Sequence, residues 1–451
     1  MARSSLRVAW TVALALAAGV VPARADDGLD RLGKLQDDLE ADGWLVHGQT
    51  TYILQDRARF RSNYRGANSL TSDTRARQTL SADAVLGRRL WDGAEFYVSP
   101  ELDIGSGLNS STGVAGALNN EAFRASSNTP KITIPRLFVR QTIGLGGARE
   151  RLDGDALQFA ESADVERVVF TAGKISVWDI FDTNAYAHDA RTQFLNWGLV
   201  GNGAIDFAAD ARGFTPGVAL EYNRAEGAAR IGVFQVARDV NAKHLDYHIF
   251  EGWQMLFELE QRVRVFERPA KLRELAMVDR TRAITYQRFS GLAPVDAADP
   301  LPGFRRYRAA YGLGLNLEQE LATDLGLFAR LGWNPGKVQA FMFTEIDRHA
   351  SLGVSLRGGR WERPEDTIGL AAMINGLSDR HRGFYAAGNL GFIVGDGRLR
   401  YRPEEILESY YDLQVMRGLS VALDYQLVNN PGYNADRGPV SVLALRLHAE
   451  F

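Results

Sequence analysis

The final segment, 440–451, alternates without a break and ends on an aromatic residue. Leu443, Leu445, Leu447, Ala449 and Phe451 share one face, and Val442, Ala444, Arg446, His448 and Glu450 share the other. A period of two makes this a β-strand with two unlike faces. The pattern recurs far upstream. Trp44, Val46, Thr50, Tyr52 and Leu54 oppose His47, Gln49, Thr51 and Gln55. Leu80, Ala82, Ala84 and Leu86 oppose Arg75, Arg77, Thr79, Ser81 and Asp83, and Phe96, Val98, Leu102 and Ile104 oppose Glu95, Tyr97, Ser99, Glu101 and Asp103. Further along, Trp253, Met255, Phe257 and Leu259 oppose Glu258, Glu260, Arg262 and Arg264. Strands of about ten residues, apolar on one face and charged on the other, are the pattern of a barrel with lipid outside and water inside. A soluble sandwich alternates too, so the two ends of the chain carry the distinction.

At the N-terminus, Arg3 and Arg7 precede an apolar stretch, 8–21, and Ala23-Arg24-Ala25 offers a small-x-small cleavage site before Asp26. That layout predicts a signal peptide over 1–25, too short to span a membrane as a helix. Its removal takes three arginines and moves the formal charge from −3 to −6, which argues against a nucleic-acid partner. A short periplasmic segment, 26–43, follows, with leucines at helical spacing over 29–42. The remainder, 44–451, reads as one transmembrane β-barrel domain. The chain has no cysteine, and a closed sheet needs no disulfide because every strand edge is paired. Phe451, on the lipid face of the closing strand, is the signal expected to be read by the barrel-assembly machinery.

Strands are expected at 44–55, 75–86, 94–104, 132–143, 166–177, 214–223, 228–238, 253–266, 271–283, 307–320, 325–333, 343–356, 366–376, 407–417, 419–428 and 440–451. Sixteen is an even number, as bacterial barrels require. The odd-to-even connections, among them 105–131 and 178–213, are long enough for external loops; the others are tight turns such as Gly87-Arg88-Arg89. The connection 144–165 breaks this rule. The fold expected is therefore all-β: a sixteen-stranded antiparallel transmembrane barrel.

Four stretches resemble the OprB-like carbohydrate-selective porins of Gram-negative outer membranes. They are WLVHGQTTYILQ at 44–55, RLWDGAEFYVSPELDIGSGL at 89–108, GKISVWDIFDTNAYAHDARTQFLNW at 173–197 and DYQLVNNPGYNADRGPVSVLALRLHAEF at 424–451. The resemblance implies a sixteen-stranded barrel in the outer membrane, no enzyme activity and no cofactor. Some members of this broad family are associated with ions, including manganese, so passage of ions without sugar preference is the alternative reading.

In sixteen-stranded porins the third external loop folds into the lumen. Here it carries Trp178, Asp182, Asn184, Tyr186, His188, Asp189, Arg191 and Trp197. Aromatic faces suit the CH surface of a pyranose, and carboxylates, amides and guanidinium replace the water lost from its hydroxyls. The wall adds Arg75, Arg77, Arg136 and Arg140 against Glu95, Glu101 and Asp103. Charges of both signs across a narrow lumen orient dipolar solutes and set ion selectivity, or else pair across strands. Small sugars or ions are the expected permeants, and a homotrimer is expected, latched by the long second loop, 105–131. No G-x-S-x-G, P-loop or H-E-x-x-H motif is present, and the segment 243–248, KHLDYH, reads as polar surface rather than a metal site.

Overall fold

The structure is a computed structural model that describes residues 24–72, 76–289, 294, 296 and 303–451, without the side chains of 24–32, 288 and 289. A helix, α1 (Arg24–Ala41), leads into the barrel. The strands are β1 (Trp44–Arg57), β2 (Arg77–Trp91), β3 (Ala94–Gly105), β4 (Ser127–Gly144), β7 (Arg167–Ile175), β8 (Thr215–Arg224), β9 (Gly227–Phe234), β10 (Trp253–Val265), β11 (Arg268–Ala283), β12 (Arg306–Ala322), β13 (Leu325–Trp333), β14 (Arg348–Gly358), β15 (Arg363–Gly376), β16 (Glu404–Met416), β17 (Leu419–Asn429) and β18 (Val440–Glu450). Each pairs antiparallel with its neighbours, and β1 pairs with β18, so sixteen strands close on themselves. β5 (Arg149–Leu152) and β6 (Glu161–Asp164) form a separate hairpin inside the connection that broke the length rule. Among the described residues no helix is long and apolar enough to cross a membrane.

Alternation decides which way each side chain points. Ile132, Leu259, Leu313, Leu331 and Leu352 stand exposed on the outer surface, the lipid-facing band of such a barrel. Trp91 and Phe266 are exposed at the short-turn (periplasmic) end, while Tyr311 and Trp333 pack together toward the long-loop (external) end. Aromatic rings at those two levels belong to the membrane–water interfaces.

Several expected boundaries move. The turn placed at Gly87-Arg88-Arg89 lies inside β2, which runs on to Trp91. Gly87 is a glycine because the Tyr97 ring sits over it, 3.0 Å from where a Cβ would be. The chain reverses at Asp92-Gly93 instead, with Gly93 at φ +67°. β4 begins five residues early and β14 five residues late, so the second loop is 106–126 and the sixth is 334–347. The second loop is also no free arm for a neighbour. Leu108, Val114, Ala115 and Ala117 are buried inside their own barrel, and the carbonyls of Gly116 and Ala117 accept from the amides of Gly198 and Trp197.

Candidate functional site

The third external loop, 176–214, crosses the lumen and is tied to the wall on nearly every side. On the β2–β4 side, Arg191 fans across three carboxylates: Asp83 on β2, Glu101 on β3 at 2.5 Å, and Glu121 at 3.1 Å. Glu121 opens the short helix α2 (Glu121–Ala125) of the second loop. Burial alone would raise its carboxyl, but Arg191 and Arg124 outweigh that and hold it down at about 2. Arg136 on β4 grips Asp179 through two bonds of 2.8 and 2.7 Å. Burial works against the Asp179 carboxylate, and Arg136 prevails and keeps it below its usual range.

On the opposite side the loop is held largely through its own backbone. Leu195 N and Asn196 N donate to Glu408 of β16 at 2.5 and 3.1 Å. Arg446 of β18 donates to the carbonyls of Ala190, Thr192 and Gln193. Arg330 of β13 donates to the carbonyls of Asp182, Ala187 and Leu199 and to the Asp182 carboxylate. Asp182 N donates to Glu258 of β10, Asn184 Nδ2 to Asn316 of β12 and Ala185 N to Glu318 of β12. Arg330 is fully buried, so its charge is neutralised by the loop and not by pore water. This departs from the expectation that wall charges are tolerated because they face water: Glu101, Asp103 and Arg191 are all buried beneath or within the loop.

The sequence-predicted residues are spread over the site. Arg191, Arg136, Glu101 and Asp103 gather where the loop meets the β2–β4 wall, and Asp182 and Asn184 meet the wall opposite, at β10, β12 and β13. Trp178 and Trp197 enter an aromatic cluster with Phe207 and Phe343, the Trp197 ring 4.6 Å from Phe343 and 4.5 Å from Phe123. A small cavity of about 40 Å³ opens beside them, with Arg124, Asp210 and Arg212 in its wall. His188 is half-buried near Trp178; desolvation, then Arg330, holds its imidazole below the usual range. Asp189 is exposed at the loop's edge and accepts from the Thr192 hydroxyl. Glu95 and Arg140 lie apart from the loop, toward the short-turn end, 3.5 Å from each other. Arg77 is partly exposed near the external end of β2, and Arg75 lies outside the described residues.

Sequence reasoning missed most of the far wall. A ladder of charges runs across five strands: Glu221 on β8, Arg230 on β9, Glu258 and Glu260 on β10, Arg273 on β11 and Glu318 on β12, with successive contacts of 2.6–3.2 Å. The signal was charge at mid-strand on an inward position, already visible in Glu258, Glu260, Glu318 and Arg446. Below the loop, on the β12–β18 side, lies an open part of the lumen of about 570 Å³. Tyr186, Gln193, Ser355, Thr367, Tyr410 and Gln414 line it, together with Glu320, Asp324, Glu365, Asp412 and Glu450. Among the described residues no group of three or more His, Asp or Glu is placed to hold a metal ion. In the 243–248 segment, His248 pairs with Asp246, which also accepts from the Tyr307 hydroxyl.

Comparison with known proteins bears on this geometry. The sequence profile of the carbohydrate-selective porin, OprB family, matches residues 67–451. No curated protein sequence matches the chain. Among solved structures, that of Pseudomonas putida OprB at high pH superposes with a TM-score of 0.69 at 16% identity, over 93% of this chain and 97% of that one. The outer membrane channel DcaP of Acinetobacter baumannii superposes with a TM-score of 0.50 at 10% identity, over 91% of this chain and 98% of that one.

Proposed function

Because the chain belongs to the carbohydrate-selective porin, OprB family, and is an outer-membrane channel rather than an enzyme, we propose that its preferred permeants are small carbohydrates, which diffuse passively past the third external loop. The observation that carries this reading is the cavity of about 570 Å³ below the loop. It has the size of a small-molecule site, and it joins two tyrosine rings to hydroxyls, amides and carboxylates. A pyranose needs both kinds of surface, since its CH faces are apolar and its hydroxyls must exchange water for donors and acceptors. The Trp178–Trp197 cluster offers a second aromatic surface above it. Liposome swelling with the purified protein tests the reading: glucose enters faster than an amino acid of similar size, and equal rates reject it.

The five carboxylates on the same cavity favour a second reading, a cation-permeable channel without sugar preference. Reversal potentials in salt gradients separate the two, because strong cation selectivity without sugar block of the current supports the ionic reading. The segment 1–25 is proposed as a cleaved export signal, and N-terminal sequencing of the mature protein checks it.

A further inference from the structure

The connection between β4 and β7 does not hang free beneath the barrel. Its hairpin, β5–β6, ends in a tight turn in which Asp155 and Gln158 exchange backbone hydrogen bonds of 2.8 and 3.1 Å. The turn folds back into the periplasmic end of the lumen. Phe159 is fully buried, its ring 6.1 Å from Tyr97, which itself stacks on Phe138 at 4.9 Å. Tyr97 and Phe138 are inward-facing residues of β3 and β4, since their neighbours Val98, Leu137 and Val139 point to lipid.

Polar contacts fix the turn in place. Arg140 donates to the carbonyl of Leu157 at 2.8 Å, and the Arg89 guanidinium lies 4.6 Å over the Phe159 ring. Ala160 N donates to the Glu40 carboxylate of α1 at 2.7 Å, so the leading helix braces the turn from below. The turn therefore covers the β2–β4 side of the inner lumen, and the open cavity is left to the β12–β18 side.

We infer that residues 155–160 form a second, inner constriction, in series with the third external loop, that sets the size limit for solutes leaving toward the periplasm. The inference holds whichever solute the channel prefers. A tight β4–β7 turn, like the others at this end, would leave the Tyr97–Phe138 wall bare and the exit wide. Twenty-two residues of connection, 145–166, instead bring the turn and its Phe159 ring onto that wall.

The chain has no cysteine, so Ala156→Cys gives one attachment point on the turn. A bulky thiol-reactive cation added from the periplasmic side should lower single-channel conductance. Unchanged conductance with labelling confirmed by mass spectrometry overturns the inference. A second variant replaces 145–165 by Asn-Gly. Its conductance should rise roughly twofold, as the open cross-section grows, and larger oligosaccharides should enter liposomes. The competing role, wall packing alone, predicts a lower melting temperature with the same conductance and size limit in the inserted variant, and that result also overturns the inference.

Discussion

The ring of Phe451 rests on Gly48, at 2.4 Å from where a Cβ on that glycine would stand. The two residues also exchange both backbone hydrogen bonds, at 3.0 and 3.1 Å. The last residue of the chain thus completes the β1–β18 seam on the lipid face. Replacing Phe451 by Asp, or Gly48 by Val, should impair insertion, one by placing charge in the band and the other by displacing the ring. Loss of the heat-modifiable band in outer-membrane fractions is the expected readout, and normal migration refutes the assignment.

Arg191 neutralises carboxylates from three segments, so removing it strands Asp83, Glu101 and Glu121 without their partner. Arg191→Met should cost about 3–5 kcal/mol of stability, the usual scale for half of a buried ion pair left alone. The loosened loop should also raise conductance. Chemical denaturation and single-channel recording on the same variant check both.

The same cluster should respond to acid. Glu121, facing Arg191, Arg124, Asp83, Glu101 and Asp103, has its carboxyl depressed from 4.5 to about 2. A depressed carboxyl contributes its stability in full above the unfolded value and loses it as pH falls through the folded one. The anchoring of the third loop should therefore be complete above about pH 4.5 and drain away toward pH 2. Current fluctuations that grow over that window, and are abolished in Glu121→Gln, are the expected signature.

Trp197→Ala removes a ring in contact with Phe123, Trp178 and Phe343. Truncating a large buried side chain costs about 3–5 kcal/mol, and here it should also weaken block of the ion current by sugar. Charge selectivity should hardly change, because no charge is lost. Unchanged sugar block with reduced stability would reduce the aromatic cluster to loop packing.

Ion preference should follow the charges that remain in contact with water. Glu365 and Glu450 are the most exposed carboxylates of the inner cavity, with side chains 68% and 61% accessible. Replacing both by Gln should move the reversal potential toward anions, and replacing Arg77 by Gln should move it toward cations. No shift in either variant would mean that selectivity is set elsewhere along the path.

Much of the barrel was legible in the sequence because alternation is local: Leu443 and Leu445 declare their face without reference to any other strand. The entry of 178–197 into the lumen was legible from its position as the third long loop. Its partners were not. Arg191 meets Asp83 across 108 residues and Arg446 meets Ala190 across 256, and nothing in a linear pattern marks such pairs. Gly87 misled for a different reason. Beside two arginines it reads as a turn, whereas its lack of a side chain serves the ring of Tyr97. The strands β5 and β6 are four residues each, too short for alternation to stand out from noise.

Arg446 belongs to the last strand, and its guanidinium holds three carbonyls of a loop made when less than half the chain had been synthesised. Those bonds cannot form until the C-terminus arrives. Bringing such distant segments together carries a loop-closure cost that nearer pairings do not. The order of events during folding is thereby constrained: the cylinder must be nearly shut before its interior bar can lock. An unfinished barrel keeps that loop slack, and only a completed one carries a fixed aperture.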